Sequence, residues 1–189
     1  KLSTVADLQK IGSLYPSNSA FKLISDIVIG EDDNWTPIGI SYRQSFKGSF
    51  NGNGHIIKNL TVNRPTEDEV GLFGCVIYSE IKNIGIEGGT IKAKDSVGAL
   101  VGDSYSASIT NSYAKCSVSG NSEVGGLVGR GACLYASGCY ATGNVIATDE
   151  YVGGLVGFIY KNSAETPFMQ RCYATGSVSG QASVGGLIG

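Results

Sequence analysis

The sequence predicts an all-β chain wound as a stack of parallel coils, with a short helix covering the first coil. Three observations carry this expectation. An apolar-glycine phrase recurs five times, as Val70-Gly71-Leu72-Phe73-Gly74, Val97-Gly98-Ala99-Leu100-Val101-Gly102, Val124-Gly125-Gly126-Leu127-Val128-Gly129, and again over 152–157 and 184–189. Its opening valines lie 27, 27, 28 and 32 residues apart, and a fixed period of this size marks a solenoid. A second phrase keeps step with the first: Ile81-Lys82-Asn83-Ile84-Gly85-Ile86, Ile109-Thr110-Asn111-Ser112-Tyr113-Ala114, Ser137-Gly138-Cys139-Tyr140-Ala141-Thr142 and Gln170-Arg171-Cys172-Tyr173-Ala174-Thr175. Finally, glycine supplies 28 of the 189 residues, about twice its average usage. That suits a chain of tight turns and closely approaching backbones.

Residues 1–20 stand outside the repeat. Thr4 followed by Asp7 reads as an N-cap with an acid in the first turn. Val5, Leu8, Ile11 and Leu14 then recur at helical spacing, so a helix over 5–14 is expected, ended by Tyr15-Pro16-Ser17-Asn18. It reads as the cap that covers the first unpaired strand edge. Residues 21–69 form the first, irregular coils. Phe21, Leu23, Ile27 and Ile29 fit short strands, Glu31-Asp32-Asp33-Asn34 an acidic turn, and Asn51-Gly52-Asn53-Gly54 a tight turn needing positive φ. Residues 70–189 are the repeat coils, expected to continue past residue 189, with an inserted loop near 161–167 accounting for the longest spacing.

A single unit offers too few apolar side chains to offset the entropy of fixing its backbone, so the coils must stack to fold. Period-2 alternation in the second phrase places Ile84, Ser112, Cys139 and Cys172, with Ile86, Ala114, Ala141 and Ala174, on one face. Tyr113, Tyr140 and Tyr173 fall on the other. In the glycine phrase the same rule sets Val124 and Leu127 on opposite faces unless a bulge intervenes, which leaves that register open.

The phrase Val-Gly-Gly-Leu-Val-Gly, alternating with Cys-Tyr-Ala-Thr-Gly, resembles the GLUG-motif family of bacterial surface proteins. The stretch Trp35-Thr36-Pro37-Ile38-Gly39, followed by Phe46 to Leu60, is similar to the segment that commonly precedes such repeats. The resemblance implies a right-handed parallel β-helix and export to the cell surface. It also implies a place in adhesin-like proteins, or in non-catalytic parts of peptidases resembling immunoglobulin A proteases. The motif carries no catalytic residue.

The composition narrows the chemistry further. Charged residues are 16% and the net charge is −2, so neither nucleic acid nor an acidic membrane surface is an expected partner. No run approaches the roughly 18 apolar residues of a membrane span, and Lys1 leads straight into polar sequence without an export leader. A polysaccharide-cleaving β-helix needs clustered carboxylates, whereas the acids of the repeats, Asp95, Asp103, Glu123, Asp149, Glu150 and Glu165, look scattered. Glu123 and Glu150 fall near equivalent turn positions and are read as a solvated turn. His55 is the single histidine, so a catalytic triad would have to run through it. No metal site and no cofactor are expected: the acidic turn lacks the spacing of an EF-hand loop, and the glycine phrases carry no phosphate-loop lysine.

The five cysteines, Cys75, Cys116, Cys133, Cys139 and Cys172, form no CxxC. Cys139 and Cys172 share one slot of successive coils and read as buried thiols, with a cross-coil disulfide as the alternative. The one candidate binding feature is the tyrosine series Tyr113, Tyr140 and Tyr173. It is either an exposed aromatic stripe for a glycan or host protein, flanked by Lys115, Thr142 and Thr175, or a ladder whose rings stack on one another. The expected function is a non-catalytic surface or extracellular module. The alternatives are an accessory domain of a secreted immunoglobulin A protease-like peptidase and a polysaccharide-active β-helix enzyme.

Overall fold

The structure, a computed structural model, describes residues 1–30, 33–161 and 166–189. Part of the acidic turn, most of the inserted loop and Glu165 therefore lie outside the described residues. The chain is a right-handed parallel β-helix of about six coils, and the strand pairings within its sheets are parallel. A six-stranded sheet takes one strand from each coil: Ala20–Lys22, Ser49–Asn51, Glu80–Lys82, Ser108–Thr110, Tyr135–Ser137 and Phe168–Gln170. Next to it, a nine-stranded sheet carries Gly85–Ala93, Tyr113–Gly120 and Tyr140–Ala141. Two four-stranded sheets complete the later coils. One contains Asp95–Gly98, Ser122–Gly125, Glu150–Gly153 and Ala182–Gly185, the other Phe73–Ile77, Val101–Tyr105, Val128–Ala132 and Val156–Tyr160.

Register stacks like on like. Val101 pairs with Val128, Val128 with Val156, and Ala114 with Ala141. Rings fill the interior slots of the first coils and aliphatic side chains those of the later ones: Phe21, Phe50, Ile81, Ile109, Ala136 and Met169 form one column, and Phe73, Val101, Val128 and Val156 another. The first coils are therefore filled by rings, with Phe46 and Phe50 centred 5.0 and 5.2 Å from Phe73. As the alternation predicts, Ile84, Ser112 and Cys139 are buried together with Ile86, Ala114 and Ala141.

The glycine phrase is a strand, a bend at Gly126-Leu127, and a second strand in a different sheet. The bend resolves the open register: with a corner between them, Val124 and Leu127 both point inward, each at most 1% exposed. Its closing glycine lets this arch settle on the coil before. A Cβ on Gly129 would collide with the backbone of Ser96 and Val97, and Gly102 and Gly157 meet Glu69-Val70 and Glu123-Val124 in the same way.

The helix is shorter than its apolar spacing predicts, running Val5–Gln9 rather than 5–14. Its start is as expected, a capping box in which Thr4 accepts from Asp7 N at 3.1 Å and Asp7 accepts from Thr4 N at 3.2 Å. Its end is set by tertiary structure. Gly12 turns at φ +87° and Ile11 bridges to Tyr15, so Ile11 is buried by the coil below while Leu14 stays 70% exposed. Leu2 bridges to Leu23, and Leu8 is wholly buried, which seats the segment over the first coil.

Candidate functional site

Two columns of residues flank the glycine phrase. The residue before each opening valine is Glu69, Ser96, Glu123, Tyr151 or Ser183, and every one of these has a positive φ of 48–60°. The residue after each closing glycine is Cys75, Asp103, Arg130 or Phe158, and these stack in register. Because the phrase folds as an arch, the two columns converge. Between them lies a cleft of about 340 Å³ lined by Asp68, Glu69, Asp95, Glu123, Arg130 and Glu150, with Ser96, Ser122 and Tyr151.

Asp103 has 1% of its side chain exposed and is gripped by the Arg130 fork, which donates Nε to Oδ1 at 3.0 Å and Nη2 to Oδ2 at 2.6 Å. That bond raises the guanidinium pKa against the opposing effect of burial. Arg130 also donates to the Tyr105 hydroxyl at 3.3 Å and lies 3.9 Å from Glu123, which accepts from the Ser96 hydroxyl. Tyr105 is held protonated mainly by its bond to Tyr160, with burial adding to the effect. At the mouth, Lys94 pairs with Asp68 at 3.2 Å and Asp95 at 3.1 Å.

Among the described residues Glu69 has no cation in ion-pair contact. Its Oε2 is shielded from solvent and has no hydrogen-bond partner, and burial followed by the Asp103 charge pushes its pKa up. Cys75 lies beside it, wholly buried, with its thiol pushed up to about 12 by burial and by the Glu69 and Asp103 carboxylates. One ligand atom from each of Glu69, Cys75 and Asp103 lies within 4.8 Å of the other two. The acids that look scattered in sequence are thus partly gathered. Glu123 and Glu150 line the same cleft one register step apart, since Val124 pairs with Val152 and Glu150 with Ala182.

The tyrosines Tyr113, Tyr140 and Tyr173 lie on the outer face of the nine-stranded sheet. Their rings are centred 4.8 and 4.9 Å apart with planes within 3° of parallel, so each inner face is spent on a neighbour. Edges and the end ring, Tyr173 at 51% exposure, face outward. Tyr113 leans over Gly85, and its hydroxyl donates to Glu87 at 2.8 Å. Burial and then that bond raise its pKa. Lys115 pairs with the same carboxylate at 2.9 Å, which holds Glu87 below its ordinary value, and lies over the Tyr113 ring. His55 contacts Asp26 at 3.3 Å, and no hydroxyl or thiol joins the pair among the described residues. Cys75, Cys116, Cys139 and Cys172 carry free thiols, so no disulfide joins Cys139 to Cys172. The thiol of Cys139 is pushed up to about 12, chiefly by burial.

No family model matches the chain. Halomucin from Haloquadratum walsbyi is 33% identical over 197 residues, an alignment that takes in 83% of this chain and 2% of halomucin. A protein of Evansella cellulosilytica provisionally named a Gly-rich membrane protein is 31% identical over 170 residues, 69% of this chain and 20% of its own length. The chain thus spans a small fraction of either relative. A crystal structure from Bacteroides ovatus, provisionally named an immunoglobulin A1 protease, matches all of this chain and 60% of its own, with a TM-score of 0.80 at 21% identity, a likeness of fold.

Proposed function

We propose that the chain is a non-catalytic β-solenoid segment of a surface or extracellular protein, of the kind the GLUG phrase marks, acting as a spacer or as an adhesion module. The observation that carries this reading is the stack of parallel coils that runs through the described residues, an architecture that extends a chain along one dimension. Two relatives support it. One carries the name halomucin and the other is provisionally named a membrane protein, and in both this sequence is a small part of a long polypeptide. The fold likeness to the structure named as an immunoglobulin A1 protease favours a second reading, an accessory segment of a secreted peptidase.

The test of surface placement is protease shaving of intact cells that make the natural protein. The reading expects release of fragments from this segment before lysis; fragments seen only after lysis would reject it. Within that reading, a glycan or host-protein ligand would meet the ring edges of Tyr113, Tyr140 and Tyr173. Alanine at all three should then lower binding to a glycan array or host matrix at least tenfold, and unchanged binding would leave the stripe as a packing device.

A further inference from the structure

We propose that Glu69, Cys75 and Asp103 form a binding site for one divalent transition-metal ion of the zinc class, at the base of the acidic cleft. The inference is independent of where the protein resides. It starts from unsatisfied atoms. Buried polar groups are almost always paired, yet Glu69 Oε2 has no partner and the wholly buried Cys75 thiol makes no hydrogen bond among the described residues. Both point into one small space, with a carboxylate oxygen of Asp103 within 4.8 Å of each.

Charge points the same way. Arg130 is bound to Asp103 at 2.6 Å and stands 3.9 Å from Glu123, and among the described residues no cation forms an ion pair with Glu69 or Cys75. With Glu69 ionised and Cys75 as thiolate, two negative charges remain uncompensated, and one divalent cation cancels both. The ligand set of one sulfur and two carboxylate oxygens suits a borderline-soft ion, whereas calcium and magnesium take oxygen only. Three protein ligands leave a fourth position for water entering from the cleft, and the acids around its mouth favour cation entry. Arg130 then has a positioning role. Its fork fixes the Asp103 carboxylate and leaves lone pairs free, since a carboxylate has about four acceptor sites.

Binding forms a metal–sulfur bond as the Cys75 S–H bond breaks. The proton leaves through the cleft to solvent, a Glu69 carboxyl that was protonated releases a second one, and no redox partner is needed. The experiment is titration of the metal-free chain with Co²⁺ and Zn²⁺, followed by absorbance and by calorimetry in buffers of different ionisation enthalpy. The expected result is one ion per chain, a thiolate-to-cobalt charge-transfer band displaced by Zn²⁺, release of about one to two protons, and a higher Tm with Zn²⁺. Cys75→Ser should abolish the band and weaken Zn²⁺ at least about a hundredfold. Glu69→Gln, which keeps the side-chain shape at a half-buried position, should weaken it about ten- to a hundredfold. Glu150→Gln, at the mouth, should change it by less than about threefold. Absence of the band with wild-type protein would overturn the site, as would equal Zn²⁺ affinity in wild type and Glu69→Gln, which would mean adventitious binding to surface carboxylates.

Discussion

Asp103 is an acid removed from water and held by one partner, and that asymmetry decides what its loss would do. Its side chain is 1% exposed while Arg130 keeps 27%, so Arg130 can turn to solvent and Asp103 cannot. Breaking a buried pair from the exposed side leaves an uncompensated buried charge. Arg130→Ala should therefore destabilise the fold by about 3–5 kcal/mol in urea unfolding at neutral pH. Asp103→Asn should cost markedly less, because the stranded guanidinium rehydrates; equal losses would contradict the burial argument. The cluster was hidden in the sequence because its members are spread over several repeats and the slot after the closing glycine holds a different residue type in each. Cys75, Asp103, Arg130 and Phe158 occupy one slot, yet each is chemically different. The signal was positional. Writing the five phrases beneath one another puts Glu69 and Glu123 in the column before the valine, and Cys75, Asp103 and Arg130 in the column after the last glycine. Only the arch brings those columns together.

The elements were legible where local pattern and tertiary contact agree. The tyrosine face of the second phrase is such a place: alternation holds through Tyr113 and Ala114 because that stretch is one uninterrupted strand in a sheet. Alternation fails in the glycine phrase because a corner interrupts it, and the helix stops short of its apolar spacing because Ile11 is buried for a different reason, a bridge to Tyr15. The abundance of glycine points to tight turns and closely approaching backbones, and at the closing glycines of the phrase it is the close approach that matters. At Gly129 the backbone of the preceding coil occupies the place of a Cβ, whereas at Gly186 nothing lies within 4 Å. Gly129→Ala should thus cost about 3 kcal/mol or more, since the clash is with backbone that cannot rotate away. Gly186→Ala should change stability by no more than about 0.5 kcal/mol. Parallel denaturant titrations compare them directly, and a neutral Gly129→Ala would mean that the arch does not rest on its neighbour.

Along the whole molecule the interior is graded, and the gradient has a measurable consequence. The first coils hold four phenylalanines, of which Phe46, Phe50 and Phe73 are wholly buried, and Trp35 is 2% exposed with its indole N–H donating to Leu72 O at 3.1 Å. The last coil of these 189 residues has no phenylalanine in the same slots, and its Met169, Cys172, Ala174, Val178 and Leu187, with a coil on one side only, are partly buried. In a solenoid each coil is stabilised mainly by its neighbours, so opening starts where the interface is poorest and propagates. In the 189-residue chain, amides of Tyr173–Ala174 and Ala182–Gly185 should exchange at least about a hundredfold faster than those of Tyr113–Gly120. Trp35 is the single tryptophan, so its fluorescence reports the aromatic end alone, while far-ultraviolet circular dichroism reports every coil. The dichroism transition should begin at lower denaturant than the fluorescence transition, a departure from two-state behaviour. Coincident curves would mean that the coils unfold as one cooperative block, with the ring-filled end no more stable than the other.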